Sequence, residues 1–106
     1  MAQLNPKQRQ FLKGLAHALK PLLHIGKEGV TETVLRSIQS AFNSRELLKV
    51  KVLDAAPESA ASSGEQIAAG LDRVEVVQVI GKTVVLYRPH PEKPKIKLPE
   101  SKSPRA

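Results

Sequence analysis

The chain has 106 residues, no Cys, 17 Lys+Arg against 10 Asp+Glu, a formal net charge of +7 and only 3% aromatic residues. That length suits one domain with one modest core, and zero Cys excludes disulfides, thiolate metal sites and Cys nucleophiles. No run approaches the length of a membrane span, and the start Met1-Ala2-Gln3-Leu4-Asn5-Pro6 lacks a signal-peptide pattern, so a soluble cytoplasmic protein is expected.

Asn5-Pro6-Lys7-Gln8 opens a helix: Asn as cap, Pro at the first helical position and Gln three residues after the cap. Leu12, Leu15, Ala16 and Leu19 then form an apolar stripe, with Arg9, Lys13, His17 and Lys20 as a basic stripe beside it, and Pro21 as the stop. Residues 22–25 read as a short strand with His24 turned away from its apolar neighbours. Gly26-Lys27-Glu28-Gly29 follows as a tight loop, and Thr31 caps a second helix that buries Val34, Leu35, Ile38, Ala41 and Phe42.

Residues 46–53 alternate between apolar and Lys positions, which predicts a strand with one face in the core and one in solvent. A loop is expected over 54–62, then a short helix opened by Ser63-Gly64-Glu65-Gln66 and carrying Ile67, Ala68 and Leu71. Residues 73–80 and 83–87 read as strands joined by Gly81-Lys82 in a type II′ hairpin. From Pro89 onward, Pro89, Pro91, Pro94, Pro99 and Pro104 among basic residues predict an extended, mobile basic tail. The expected organisation is one domain over 1–89 and a Pro-rich disordered tail over 90–106. Its fold class is α/β of the α+β two-layer kind: a mixed four-stranded sheet packed against helices in the order α-β-α-β-α-β-β.

The positive charge is placed rather than spread. No acidic residue precedes Glu28, whereas Lys7, Arg9, Lys13, Lys20 and Lys27 all fall before it. After Pro89 come five more Lys/Arg against Glu92 and Glu100, and the stretch 28–88 is close to neutral. Placement of this kind suggests a polyanionic partner.

Catalysis needs a constellation, and none is visible. Asp54 and Asp72 are the only aspartates, both at element ends, and His17, His24 and His90 have no metal-ligand spacing. No nucleophile elbow, Walker loop or dinucleotide-binding loop occurs. The expectation is a non-enzyme without cofactor or metal, with His17 part of the basic helix face and His24 a structural strand residue. What remains is a strand, a Gly loop and a helix on a KH-like frame, a known way to clamp single-stranded nucleic acid by its backbone. With few aromatics, backbone and shape recognition fits better than base stacking, and Lys27 is the nearest loop cation. Glu28 and Glu32 count against pure phosphate binding at the helix start, and their role there is either to limit promiscuous affinity or to favour the helix dipole.

These residues resemble a family. Leu12-Lys13-Gly14-Leu15-Ala16-His17-Ala18-Leu19-Lys20-Pro21, Ile25-Gly26-Lys27-Glu28-Gly29-Val30-Thr31, Glu46-Leu47-Leu48-Lys49-Val50 and the run from Val77 through Gly81-Lys82 to Arg88-Pro89 together resemble the CRM domain, in its bacterial stand-alone, YhbY-like form. The resemblance covers residues 4–89; the Ala- and Ser-rich 55–64 segment is poorer in charge than the family's third-helix region. It implies a fold like the C-terminal domain of translation initiation factor three, RNA binding, and association with precursors of the large ribosomal subunit during ribosome assembly. By the same resemblance Gly26, Lys27, Glu28 and Gly29, with the basic residues Arg9, Lys13, His17, Lys20, Lys82 and Arg88, are the candidate RNA contacts of a monomer. The alternative is a protein-interaction module that docks on a ribosomal or assembly protein and uses its basic face for steering.

Overall fold

The computed structural model describes residues 4–90, 92, 94–96 and 98. Its elements are α1 (Pro6–Ala16), β1 (Pro21–Ile25), α2 (Glu32–Ala41), β2 (Leu47–Val52), α3 (Ala60–Gly70), β3 (Glu75–Ile80) and β4 (Thr83–Tyr87). This is the order read from the sequence, and local signals account for most of the boundaries. The Asn5 side chain accepts from the Gln8 N–H at 2.7 Å while the Gln8 side chain accepts from the Asn5 N–H at 3.1 Å, closing a capping box. Thr31 caps α2 through its hydroxyl, which accepts from the Val34 N–H at 3.1 Å. Gly81 has φ +56 while Lys82 keeps a negative φ, the type II′ arrangement expected between β3 and β4.

The largest differences lie at three boundaries. The first helix stops at Ala16 rather than running to Pro21: the Leu19 N–H turns back to the Ala16 carbonyl at 2.9 Å, and Pro21 opens β1. A residue before Pro is steered away from helical backbone, so Lys20 cannot continue the helix. Lys20 therefore lies off the helical basic stripe. The third helix begins at Ala60, capped by the Ser59 hydroxyl, which accepts from the Ser62 N–H at 3.0 Å. Ser63 and Gly64, expected to cap it, lie inside it. Gly64 is there for closeness, because a Cβ would meet Val84 Cγ1 at 3.2 Å and Val76 Cγ2 at 3.3 Å. Gly64→Val is expected to lower stability by about 1–3 kcal/mol through overpacking, measured by denaturant unfolding. Finally, β3 starts at Glu75 and not at residue 73, since Arg73 sits at φ +65 in the preceding turn.

The sheet order is β1-β2-β4-β3. β1 runs parallel to β2, as a crossover through α2 demands, and β4 is antiparallel to both β2 and β3. The crossover through α3 carries β3 one strand too far to pair with β2, and the hairpin returns β4 into the gap. Alternation along the strands then makes two cores. Leu48, Val50 and Val52 with Val84 and Leu86 pack against Ile38 and Phe42 of the α2 segment and Ile67 of α3. On the opposite face, Leu47, Val77, Val85 and Tyr87 pack against Leu12 and Ala16 of α1. The mixed four-stranded sheet is thus flanked by helices on both faces, two on one and one on the other. A single 11-residue helix cannot cover its face, and Lys49 and Lys51 share that side with Leu47 by alternation.

The start of the expected mobile tail is docked. Glu46, 6% exposed, accepts three backbone N–H groups: His90 at 2.6 Å, Lys95 at 2.9 Å and Ile96 at 2.7 Å. Ile96 and Leu98 pack with Leu4 on the Leu12 cluster. The described residues His90, Lys95, Ile96 and Leu98 are thus attached to the domain. Residues 99–106 lie outside the described residues.

Candidate nucleic-acid interface

The loop after β1 is a closed turn. Its Gly29 N–H donates to the Gly26 carbonyl at 2.9 Å, leaving the Lys27 and Glu28 side chains exposed at the tip. The two glycines do different work. Gly29 is buried at φ +75 with Pro57 Cγ only 3.1 Å from where a Cβ would stand, so both conformation and packing require Gly. Gly26 has open space around its Cβ position and no positive φ.

Backbone bonds gather three segments at this end of the sheet. The Leu53 N–H donates to the Ile25 carbonyl at 2.9 Å and the Val52 N–H to the Lys82 carbonyl at 2.7 Å. The 26–29 turn, the segment after β2 and the β3–β4 hairpin therefore share one rim. Charge on that rim is mixed: Lys82 pairs with Asp54, and Glu28 and Glu32 stand against Lys27.

A cleaner cationic surface lies on the sheet face that α1 leaves open. Between α1 and the sheet runs a groove of about 340 Å³ lined by Gln10, Lys13, Gly14, Ala16, His17, Lys49, Gln78, Ile80 and Val85. Three of these are basic residue types and none is acidic. Lys49 Nζ donates to the Leu19 carbonyl at 3.0 Å, pinning the turn after α1 to β2.

The candidate residues thus separate. Lys13 and His17 line the groove, Lys20 follows the pinned turn, and Gly26, Lys27, Glu28, Gly29 and Lys82 belong to the rim. Arg9 is engaged structurally, its Nη1 donating to the Val76 and Val77 carbonyls at 2.7 and 3.0 Å where β3 bulges. Arg88 is at the far end of β4, its backbone N–H on the Glu46 carbonyl, and it lines a small pocket with Gln39, Phe42, Leu71, Asp72 and Val74. The fold does not bring Arg88 to the loop. Gln10, Gln78 and Ile80 escaped the sequence reading because polar and aliphatic residues carry no charge signal; only the topology assembles them. Among the described residues no group of three or more His, Asp or Glu side chains could hold a metal ion, and no helix is long and apolar enough to cross a membrane.

Comparison with known proteins places this arrangement among relatives. The family model of the CRS1/YhbY (CRM) domain matches residues 4–88. The chain is similar to an RNA-binding protein of Haemophilus influenzae, 46% identical over 99 residues that span 93% of this chain and 98% of that one. It is 40% identical over 96 residues to YqeI of Bacillus subtilis, named a probable RNA-binding protein, covering 91% of this chain and 99% of the relative. The solution structure of SAV1595 from Staphylococcus aureus is similar with a TM-score of 0.76 at 37% identity, covering 92% of this chain and 100% of that one.

Proposed function

We propose a function from one premise: the chain belongs to the CRS1/YhbY (CRM) domain family. It is a non-catalytic RNA-binding protein that associates with ribosomal RNA in precursors of the large ribosomal subunit and assists ribosome assembly, acting as a cytoplasmic monomer. The observation that carries the reading is the match over residues 4–88, joined by relatives of nearly equal length that are named RNA-binding proteins. The geometry supports it with a groove of one charge sign and, apart from it, an exposed turn. Lys13, His17 and Lys20 attract the RNA backbone, and the 26–29 turn with Lys27 meets it at the rim.

A salt series tests the electrostatic core of this reading. Log affinity for ribosomal RNA is expected to fall linearly with log salt, and Lys13→Ala or Lys20→Ala to reduce the slope by about 0.7 for each single-strand phosphate contact removed. Affinity indifferent to salt contradicts the reading. Co-sedimentation with large-subunit precursors in a gradient tests the assembly role, and absence from those fractions removes it.

A docking module for a ribosomal or assembly protein is the second reading. It draws on Phe11 and Leu15, one helical turn apart on α1 and 39% and 42% exposed. Ribosomal RNA and acidic protein set against each other in one binding assay separate the two.

A further inference from the structure

We propose that the groove between α1 and the open sheet face is a base pocket, holding one unpaired base of a single-stranded RNA. The inference rests on the RNA-binding reading and deepens it, assigning selectivity to this groove and backbone attraction to the rim and the cations around it.

The groove has the parts such a pocket needs. Its volume of about 340 Å³ falls at the small end of the range for ligand pockets, roughly 300–1,000 Å³. Val85 on the central strand β4 lies fully buried beneath the groove, and Ile80, 51% exposed, is its open aliphatic side. The exposed Ile80 beside cations suits the flat, weakly polar face of a base better than it suits a phosphate alone. Gln10 from α1 and Gln78 from β3 line the same groove, and each carboxamide offers two donors and an acceptor, the complement of a base edge.

Lys13 and Lys49 supply the charge that a nucleotide's phosphate requires, His17 lies beside them, and no carboxylate lines the groove to repel it. The walls are also held in advance. Lys49 ties the turn after α1 to β2, and Arg9 ties α1 to the β3 bulge just before Gln78. A pocket whose two sides are fixed by hydrogen bonds has little ordering left to do on binding. No aromatic residue lines the groove, so discrimination there falls to hydrogen bonds.

The test uses the full chain and labelled RNA oligonucleotides of about ten residues: homopolymers of A, C and U, and an abasic strand of equal length and charge. The wild-type chain is expected to bind one homopolymer about tenfold tighter than the abasic strand, the scale of one well-placed carboxamide–base contact. Gln10→Ala/Gln78→Ala is expected to bring homopolymer and abasic affinities within about twofold of each other, with abasic affinity and salt slope unchanged. Gln10→Ala alone, at an exposed helix position, repeats the measurement with no strand residue altered, and unfolding curves accompany each variant. Equal wild-type affinity for all strands, or a base preference that survives both substitutions, overturns the pocket while leaving the RNA-binding reading standing. Absence of binding to any strand overturns both.

Discussion

Glu46→Ala is expected to lower the unfolding midpoint by about 10 °C, corresponding to a loss of about 2 kcal/mol in a domain of this size. The carboxylate gathers the N–H groups of His90, Lys95 and Ile96, and hydrogen bonds to a charged acceptor are the stronger kind. Without it the segment is held only by the packing of Ile96 and Leu98 on the Leu12 cluster. Two truncations give the same result by another route. A chain ending at residue 98 keeps all these contacts and is expected to unfold like the parent. A chain ending at residue 89 strips three donors from a buried carboxylate and is expected to be destabilised as much as Glu46→Ala. Equal stability of both truncations would show that the docked segment contributes nothing.

The same contact makes stability depend on pH. Burial pushes the Glu46 carboxyl up, but the N–H groups of His90, Ile96 and Lys95, with the nearby His90 charge, outweigh it and hold the group below its ordinary value. A carboxylate depressed in the folded state adds stability above its unfolded value, and that stability is lost as pH falls through the folded value. In Glu46→Gln that part of the acid loss is expected to vanish, so its midpoint and the parent's converge as pH falls from the ordinary glutamate range downward. A constant gap between them across that window would contradict the assignment.

What could be read in advance was local. The Asn5, Pro6 and Gln8 cap, the Thr31 cap, the alternation from Leu48 to Val52 and the Gly81 turn each depend on residues within a few positions. Helix ends fared worse, since Leu15 and Leu19 extend an apolar period that the structure leaves exposed. Periodicity cannot tell a buried stripe from one that continues past the last neighbour. Long-range features were not legible. Glu46 sits between charged Arg45 and apolar Leu47 and looks like any strand-edge carboxylate until a segment 44 residues away folds over it. Likewise the groove joins Gln10 to Gln78 across the sheet, and no local pattern links them.

The two loop glycines look alike in the sequence, and the structure makes them separable probes of the rim. Gly26→Asp is expected to leave the fold intact, because nothing lies within 4 Å of its Cβ position and its φ is not positive. It places a carboxylate beside Glu28 where RNA phosphate is to approach, so affinity for ribosomal RNA is expected to fall about tenfold or more. Gly29→Asp forces a side chain into φ +75 and onto Pro57, a strain of about 1–3 kcal/mol that confounds any binding loss. Lys27→Ala/Glu28→Ala keeps both glycines and removes one charge of each sign, so its affinity is expected to stay within about twofold of the parent. The turn already engages the Gly29 N–H internally, so under the proposed function attraction at the rim would fall to the Lys27 side chain and to backbone on either side of the tip. A folded Gly26→Asp chain that binds ribosomal RNA as well as the parent would take the rim out of the interface. The groove beside Lys13, His17 and Lys49 would then be the principal site, and charge reversal at Lys13 the change that abolishes binding.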